Sequence, residues 1–374
     1  MKLVTRFQDL AIPNINVIGK RTVTLVVALI IGSGTLFAQD IHFAQSAQVP
    51  VLINPANTGL FVGWERVILN HRQQWSSVQS PYVTTNGSLE VNIGKPQIAG
   101  KAYVGLGLNF YSDKAGDAKF GTTKASINVS AIVPLEDRHT VSAGLQIGGG
   151  QKKVTLDNLI WASQFDHSTG TFDNSIAVGE PVGIASNFFF DMGMGAVYQY
   201  RNHSVGFGKS EVLRRGHFGV AMFHLTKPRL NFGGSTERLD RKLVVHGDIM
   251  LNIPGSKVSL EPNLAFFKQG IFVEQLYGLL FKIAIKSGTK YTGIYTESFF
   301  SIGGKMRLGD AFIPQVFLEL DAFKIGLSYD MNLSFSEVSR YMGGFELSFQ
   351  WANLNTALFK SRGSKGYKKP GLGA

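Results

Sequence analysis

The sequence predicts an all-β protein, a transmembrane antiparallel outer-membrane β-barrel of about 14 strands. Three observations predict this class: long runs of alternating apolar and polar residues, a composition with few charges, and an export signal at the start of the chain. Charged residues make up 17% of the 374 residues, below the roughly 25% of ordinary soluble domains. The 44% of hydrophobic residues excludes a collagen or a disordered chain.

The alternating runs define the strands. From Tyr82 to Ile93 the even positions are polar and the odd positions mostly apolar, and the run from Phe323 to Asn332 alternates in the same way, with apolar odd positions and polar or glycine even positions. A period of two indicates a strand between two different environments. Membrane-spanning strands need about 9–11 residues, whereas soluble strands average about five or six, and these runs have the greater length. Strands are predicted near 62–75, 81–94, 101–113, 119–134, 138–152, 186–201, 216–226, 241–253, 257–267, 271–286, 291–308, 310–320, 321–333 and 341–352.

The even strand number predicts that both chain termini lie on the periplasmic side. The segments 154–185 and 202–215 show no clear period and are predicted to be long loops. Within the first of them, residues 156–180 are predicted to add a short helix or a lid.

The start of the chain has the pattern of a secretory signal peptide. Lys20 and Arg21 precede a short apolar run at 23–31, and small residues and Ala38 follow it. A positive region, a short apolar core and a small residue at the cleavage point define such a signal. A membrane anchor would need a longer apolar run, so residues 1–38 are predicted to be a signal peptide cleaved after Ala38.

Charge and cysteine usage exclude several classes of function. The net charge of +11 comes mostly from the leader and from the end of the chain, so a uniformly basic nucleic-acid-binding surface is not expected. The sequence contains no cysteine, which excludes disulfides, zinc–thiolate sites and cysteine nucleophiles. Together, the signal pattern, the strand runs and the basic end of the chain predict four parts. These are a signal peptide (1–38), an N-terminal periplasmic segment (39–60), a barrel (61–352) and a basic C-terminal tail (353–374).

Motifs at both ends of the mature chain resemble one family. The start contains a Q-D-x-x-F-x-Q stretch at 39–45, an I-N-P-A-x-x-G turn at 53–59 and an R-x-Q-W strand at 72–75. The far end contains G-x-S-Y-D-x-N-x-S at 326–334 and then Gly-Gly-Phe-Glu-Leu at 343–347. This order and spacing resemble the PorP/SprF family of type IX secretion system membrane proteins of Bacteroidota.

The resemblance implies a function in protein secretion. It implies an outer-membrane barrel that works with the other type IX secretion components and docks or anchors a secreted cargo. The implied cargo is the C-terminal sorting domain of a cell-surface adhesin, with a link to gliding motility. The implied partners are these proteins and outer-membrane lipid, and no nucleic acid.

The candidate partner-binding or motif residues each have two interpretations. The Asn54, Pro55 and Gly59 turn is either a rigid lead into the first strand or a partner-binding mouth, because Asn-Pro and glycine favour turns. Arg72 lies on a polar strand face, as do carboxylates elsewhere, which predicts either ion pairs that fill the lumen or a ligand-contacting lumen. The remaining motif candidates are Trp75, Ser328, Tyr329, Asp330 and Glu346.

Enzymatic and cofactor-dependent functions are not predicted. The eight histidines show no H-E-x-x-H or paired metal-ligand spacing, and no serine lies in a nucleophile elbow. No cofactor or metal site is therefore expected. The alternative functions are an outer-membrane channel or hydrophobic-ligand transporter and, further from the pattern, an outer-membrane lipase.

Overall fold

The computed structural model describes residues 40–74, 81–95, 101–155, 159–173, 175–176, 184–202, 212–232, 235–286, 298–333 and 343–354. The predicted signal peptide and most of the predicted tail, like Trp75, lie outside these ranges. Among the described residues, no helix is both long and apolar enough to cross a membrane.

Fourteen antiparallel strands form a closed barrel, as the sequence predicts. Each of the fourteen predicted ranges overlaps one barrel strand. The barrel strands are β1 (Glu65–Gln74), β2 (Tyr82–Ile93), β3 (Tyr103–Ala115), β4 (Phe120–Pro134), β5 (His139–Thr155), β8 (Ile184–Arg201), β9 (Leu213–Phe223), β12 (Lys242–Asn252), β13 (Val258–Gln269), β14 (Phe272–Lys286), β15 (Ser298–Arg307), β16 (Ala311–Leu320), β17 (Phe323–Asn332) and β18 (Gly344–Ala352).

Pairing between the first and last strands closes the barrel. Strand β1 pairs with β18 in a register that places Arg66 opposite Ala352 and Gln74 opposite Gly344. Closure leaves no unpaired sheet edge, which is the condition for a strand protein to lie in lipid. The end at which β1 begins and β18 ends is called the near end here, and the other end the far end.

The alternation of side chains matches the inner and outer walls. In β17, Ile325, Leu327 and Met331 are exposed on the outer wall, whereas Ser328 and Asp330 are buried inside. An apolar outer wall and a polar interior are the arrangement that lipid outside and water or polar groups inside require.

Two pairs of short strands and a few helical turns lie outside the barrel sheet. The predicted loop 154–185 is shorter than expected, because β5 continues to Thr155 and β8 begins at Ile184. It contains the expected short helix, a 3₁₀ turn. The additional elements are β6 (Phe165–Asp166) with β7 (Thr171–Phe172), β10 (Arg229–Phe232) with β11 (Ser235–Arg238), the 3₁₀ turns Ser46–Gln48, Pro55–Asn57 and Ala162–Gln164, and the helix Pro50–Ile53.

Residues 40–60, the lumenal segment, lie inside the barrel. The backbone N–H of Asp40 donates to Gln269 Oε1 at the far end, whereas the Gly63 carbonyl accepts from Asn92 at the near end. The segment therefore crosses the lumen from the far end to the near end before β1 begins. This placement differs from the periplasmic location expected for residues 39–60, and it puts the described start of the chain at the far end.

Apolar packing explains why the segment is inside. Phe43, Val49 and Ile53 are almost fully buried. They belong to one apolar cluster with inward-facing residues of β9, β12, β13, β14 and β16. Burying such side chains contributes about 1.5–3 kcal/mol each relative to leaving them in water. Part of the lumen wall is accordingly apolar, and Leu276 is the residue that β14 contributes to it.

Candidate functional site

Arg72 anchors the start of the lumenal segment to three strands. Its guanidinium lies 3.0 Å from Asp330 Oδ2 and 3.3 Å from Glu346 Oε1, and its Nη1 donates to the His42 carbonyl at 2.7 Å. Arg307 Nη2 donates to the same Asp330 oxygen at 3.0 Å. All four charged side chains of this cluster are buried. Because an unpaired buried charge is costly, these groups stabilise one another and fix the segment between them.

The two motif-bearing ends of the sequence meet in this cluster. Glu346 accepts hydrogen bonds from the backbone N–H groups of Ala44 and Gln45, at 2.8 and 3.0 Å. The Gln45 amide donates to Ser328 Oγ at 3.1 Å and accepts from the Ser348 hydroxyl at 2.5 Å. The candidates Arg72, Ser328, Asp330 and Glu346 therefore converge on residues 42–45.

Tyr329 does not share this site. Its side chain is 47% exposed on the outer wall, because alternation turns it away from Ser328 and Asp330. Its partner-binding role therefore stays a prediction, which the lumenal contacts do not address. Trp75 lies outside the described residues.

Asn54 fixes the middle of the lumenal segment to another part of the wall. Its Oδ1 accepts from the Ala56 N–H at 2.9 Å and caps the turn Pro55–Asn57. Its Nδ2 donates to the carbonyl oxygens of Ala196 and Val220, both at 3.1 Å. These carbonyls belong to two adjacent barrel strands, so one amide both shapes the turn and attaches it to the wall.

Glycines on the inner wall make room for this turn. A Cβ atom at Gly144 would lie 2.4 Å from the Pro55 carbonyl carbon and from the Ala56 nitrogen, and one at Gly195 would meet the Asn54 side chain. Pro55 starts the turn at a position where its fixed φ suits a helical conformation and its missing N–H has no cost. Wall and segment therefore fit together as backbone against backbone.

Gly59 ends the lumenal segment at a third anchor. It adopts φ +74°, a conformation that favours glycine, and its N–H donates to Glu90 Oε2 at 3.0 Å. Glu90 also receives two hydrogen bonds from Arg66, at 2.9 and 2.8 Å, and is fully buried. Asn54 and Gly59 thus bind the turn to the lumen wall, and Pro55 starts it.

A fourth cluster holds the far-end start of the segment. Asp40 Oδ2 lies 3.2 Å from both Lys242 Nζ and His224 Nε2, and His224 Nδ1 lies 2.9 Å from Asp191. Asp191 also pairs with Lys124. These side chains form an ion-pair network, and the described parts of the chain contain no group of three or more His, Cys, Asp or Glu side chains placed to hold a metal ion.

Comparison with known families identifies the chain. The model of the family described as "Type IX secretion system membrane protein PorP/SprF" matches residues 35–351. The chain belongs to the PorP/SprF family. It is therefore an outer-membrane β-barrel of the type IX secretion system, as the motifs at 39–45, 53–59 and 326–334 indicate.

Solved structures similar to this PorP/SprF barrel are other outer-membrane barrels. The toluene transporter TbuX of Ralstonia pickettii has 13% identity and a TM-score of 0.44, with 87% of this chain and 97% of that chain covered. The beta domain of the Bordetella autotransporter BrkA has 10% identity and a TM-score of 0.36, covering 78% and 100%. BamA of Haemophilus ducreyi has 9% identity and a TM-score of 0.38, covering 77% and 70%. Among curated proteins, none matches the sequence significantly.

Several residues that hold the lumenal segment of this PorP/SprF protein were not singled out from the sequence. Gln45 and Asp40 lie within the Q-D-x-x-F-x-Q motif, which was the available signal. His224 and Arg307 lie outside any motif, and only the barrel's closure brings them to the segment.

The charges around His224 have opposite effects on two pKa values. Burial lowers the pKa of the His224 imidazole, but the Asp40 and Asp191 carboxylates outweigh burial and raise it above 6.5. Burial raises the pKa of the Asp40 carboxyl, but Lys242 and His224 hold it well below 3.8. Protonated His224 therefore stabilises the fold at low pH, and ionised Asp40 stabilises it above the ordinary pKa of aspartate.

We expect this network to be most stable between about pH 4 and about pH 6.5. As the pH rises through the raised pKa of His224, its contribution is lost, and as the pH falls through the lowered pKa of Asp40, the other contribution is lost. H224Q should lower the midpoint of thermal unfolding of the detergent-solubilised chain at about pH 5.5 and have little effect at about pH 9. An equal decrease at both pH values would contradict the assigned charge of His224.

Proposed function

We propose that this PorP/SprF protein docks a secreted cargo at the cell surface and does not conduct solutes. The observation that carries the proposal is the lumenal segment, whose residues 40–60 occupy the barrel interior and are tied to its wall by four buried polar clusters. A conduit would need this segment to leave the lumen. A docking protein needs only a rigid barrel and an exposed far end.

The energetics of the anchors favour a segment that stays in place. Removing one partner from a buried ion pair costs about 3–5 kcal/mol. Expelling the segment would separate the buried Glu346 and Glu90 carboxylates from the backbone N–H groups that they bind. It would also expose Phe43 and Ile53 together with the apolar wall that covers them. These costs support a closed lumen over a ligand path.

The far end is the proposed cargo face. We propose that the near end, where β1 begins, faces the periplasm and the other secretion components, and that a cleaved signal peptide directs export. The far end then presents the β6–β7 and β10–β11 hairpins to the cell surface. The proposed cargo is the C-terminal sorting domain of an adhesin, which would connect the protein to gliding motility.

A non-enzymatic role accompanies this proposal. The buried Asp330, Glu346 and Glu90 side chains are all bound to arginine or to backbone N–H groups. Carboxylates that are paired in this way favour a structural role over proton transfer.

Solute flux and cargo retention test the proposal separately. Liposomes that contain the purified full chain should show no swelling in small sugars, whereas a general porin included as a reference should swell them. Deletion of the gene should release one surface protein into the medium and leave sensitivity to large antibiotics unchanged. Rapid flux through the wild-type protein, or a surface proteome identical to that of the parent strain, would overturn the docking role.

A further inference from the structure

The outer wall carries a groove across strands β1–β5 and β8. Cross-strand pairing places six outward-facing positions in one row, and large residues alternate along it with glycine and alanine. Three members, at positions 87, 125 and 149, reach little or not at all beyond the backbone, so the wall is indented there. The row consists of Leu69, Gly87, Phe110, Ala125, Gly149 and Phe190.

The groove has an apolar floor and apolar sides. Its volume is about 710 Å³, and Leu69, Phe110 and Phe190 stand beside the indentation, each more than half exposed. The next row toward the near end is apolar throughout: Val67, Leu89, Leu108, Ile127, Ile147 and Met192. The indentation therefore lies at the far-end margin of the apolar belt and opens along that belt.

Over β1–β5 the rows beyond the groove change from apolar to polar and then to cationic, whereas at β8 the first of these rows holds the exposed Phe188. Toward the far end, His71 lies 3.1 Å from the Thr85 hydroxyl, and Ser112 lies 3.4 Å from Thr123. One row further, the exposed Lys114 and Lys153 face outward on either side of Gly121. Because neighbouring strands are about 4.8 Å apart, the Cα atoms of these lysines lie about 10 Å from each other. The residue between them is a glycine, so no side chain separates them.

A second cavity adjoins the groove and adds more positive charge. It has a volume of about 560 Å³ and shares Phe190 with the groove. Its lining includes Lys227, Arg229 and Arg238, from the loop that carries the β10–β11 hairpin. Cationic side chains therefore lie beyond the far-end side of the groove, on β3 and β5 and in the loop of the β10–β11 hairpin.

We propose that this surface binds one lipid of the far-end leaflet, an acylated lipid whose headgroup carries phosphate. An acyl chain would lie in the groove over Gly87 and Gly149, and the phosphate would lie between Lys114 and Lys153. The order of chemistry on the wall matches this occupant: apolar, then hydrogen-bonding, then cationic. A partner protein would not require this order. The inference does not depend on cargo docking, but it rests on the proposed orientation, in which the far end faces the cell surface.

Substitutions can remove each half of the site without disturbing the lumen. A Cβ at Gly149 would approach no atom closer than 3.7 Å, and Lys114 and Lys153 are exposed, so these positions tolerate change. Native mass spectrometry of the detergent-solubilised full chain, titrated with diphosphoryl lipid A, measures the binding. The K114Q/K153Q double variant should bind about thirtyfold more weakly. G149L, which fills the groove, should bind about tenfold more weakly.

Matched variants make the result specific. Lys268 is exposed near the far end of β13, on a different side of the barrel, and K268Q should bind like the wild type. G216L is the control for G149L, since a Cβ at Gly216 also has 3.7 Å of clearance. Heat-modifiable gel mobility checks that every variant is folded.

Four results would overturn the proposal. One is equal binding by K114Q/K153Q and K268Q, and another is equal binding of dephosphorylated lipid A. A third is displacement of the lipid by millimolar inorganic phosphate, which would mean a site for the free ion. The fourth is a dimer in the native mass spectrum that becomes a monomer in G149L while lipid binding is unchanged. The groove would then be a contact between two copies of the chain.

Discussion

Replacing Gly144 with alanine is expected to displace the lumenal segment and open the barrel. The added Cβ would lie 2.4 Å from the Pro55 carbonyl carbon and the Ala56 nitrogen, a distance that neither backbone can accept without moving. Overpacking of this kind costs about 1–3 kcal/mol, and here the strain falls on the turn that Asn54 holds. We expect single-channel currents in planar bilayers that the wild type does not show, and faster proteolysis within residues 40–60.

Gly149 on the same strand supplies the control for Gly144. Its Cβ would point toward lipid, with 3.7 Å to the nearest atom, so G149A should leave the lumen closed. Both variants should retain heat-modifiable mobility, which reports a folded barrel. A folded G144A variant with no current and unchanged proteolysis would show that the turn at Pro55–Asn57 does not close the lumen.

The barrel itself was predictable because strand periodicity is local. Each strand alternates between lipid and lumen, and lengths of ten residues or more are visible without knowledge of any partner strand. The alternation even shows that Tyr329 faces the opposite way from Ser328 and Asp330, although all three belong to one motif. Motif membership made Tyr329 a candidate, and the strand period places its side chain on the outer wall, so its partner-binding role stays a prediction.

The lumenal segment could not be located in the same way. Residues 46–57 form short helical and 3₁₀ turns, which have no strand period, and their anchors lie up to about 300 residues away. A partial sequence signal was the run 271–286, whose inner face carries apolar residues such as Leu276. In a barrel filled with water, exposing these apolar side chains would cost free energy. The apolar Phe43 and Ile53 cover them.

Arg72 is the single charge whose loss should weaken the segment most. Replacing it with methionine keeps much of the packing volume but leaves Glu346 with only backbone donors and Asp330 with only Arg307. We expect R72M to lower the free energy of unfolding by about 3 kcal/mol. Urea titration of the chain in detergent, with a matched R241M variant at an exposed site, measures this loss. R241M should change it by less than about 0.5 kcal/mol.

A double variant separates the ion pair from simple loss of packing. E346Q removes the carboxylate charge that Arg72 otherwise neutralises, 3.3 Å away, while an amide oxygen remains to accept from Ala44 or Gln45. In the R72M background this substitution should therefore cost less than it does alone, with a coupling of about 1–3 kcal/mol. Additive losses would mean that Arg72 acts only as a spacer. A coupled loss would mean that ion pairing holds the lumenal segment in place. The cluster of residues 72, 330 and 346 would then keep the barrel closed.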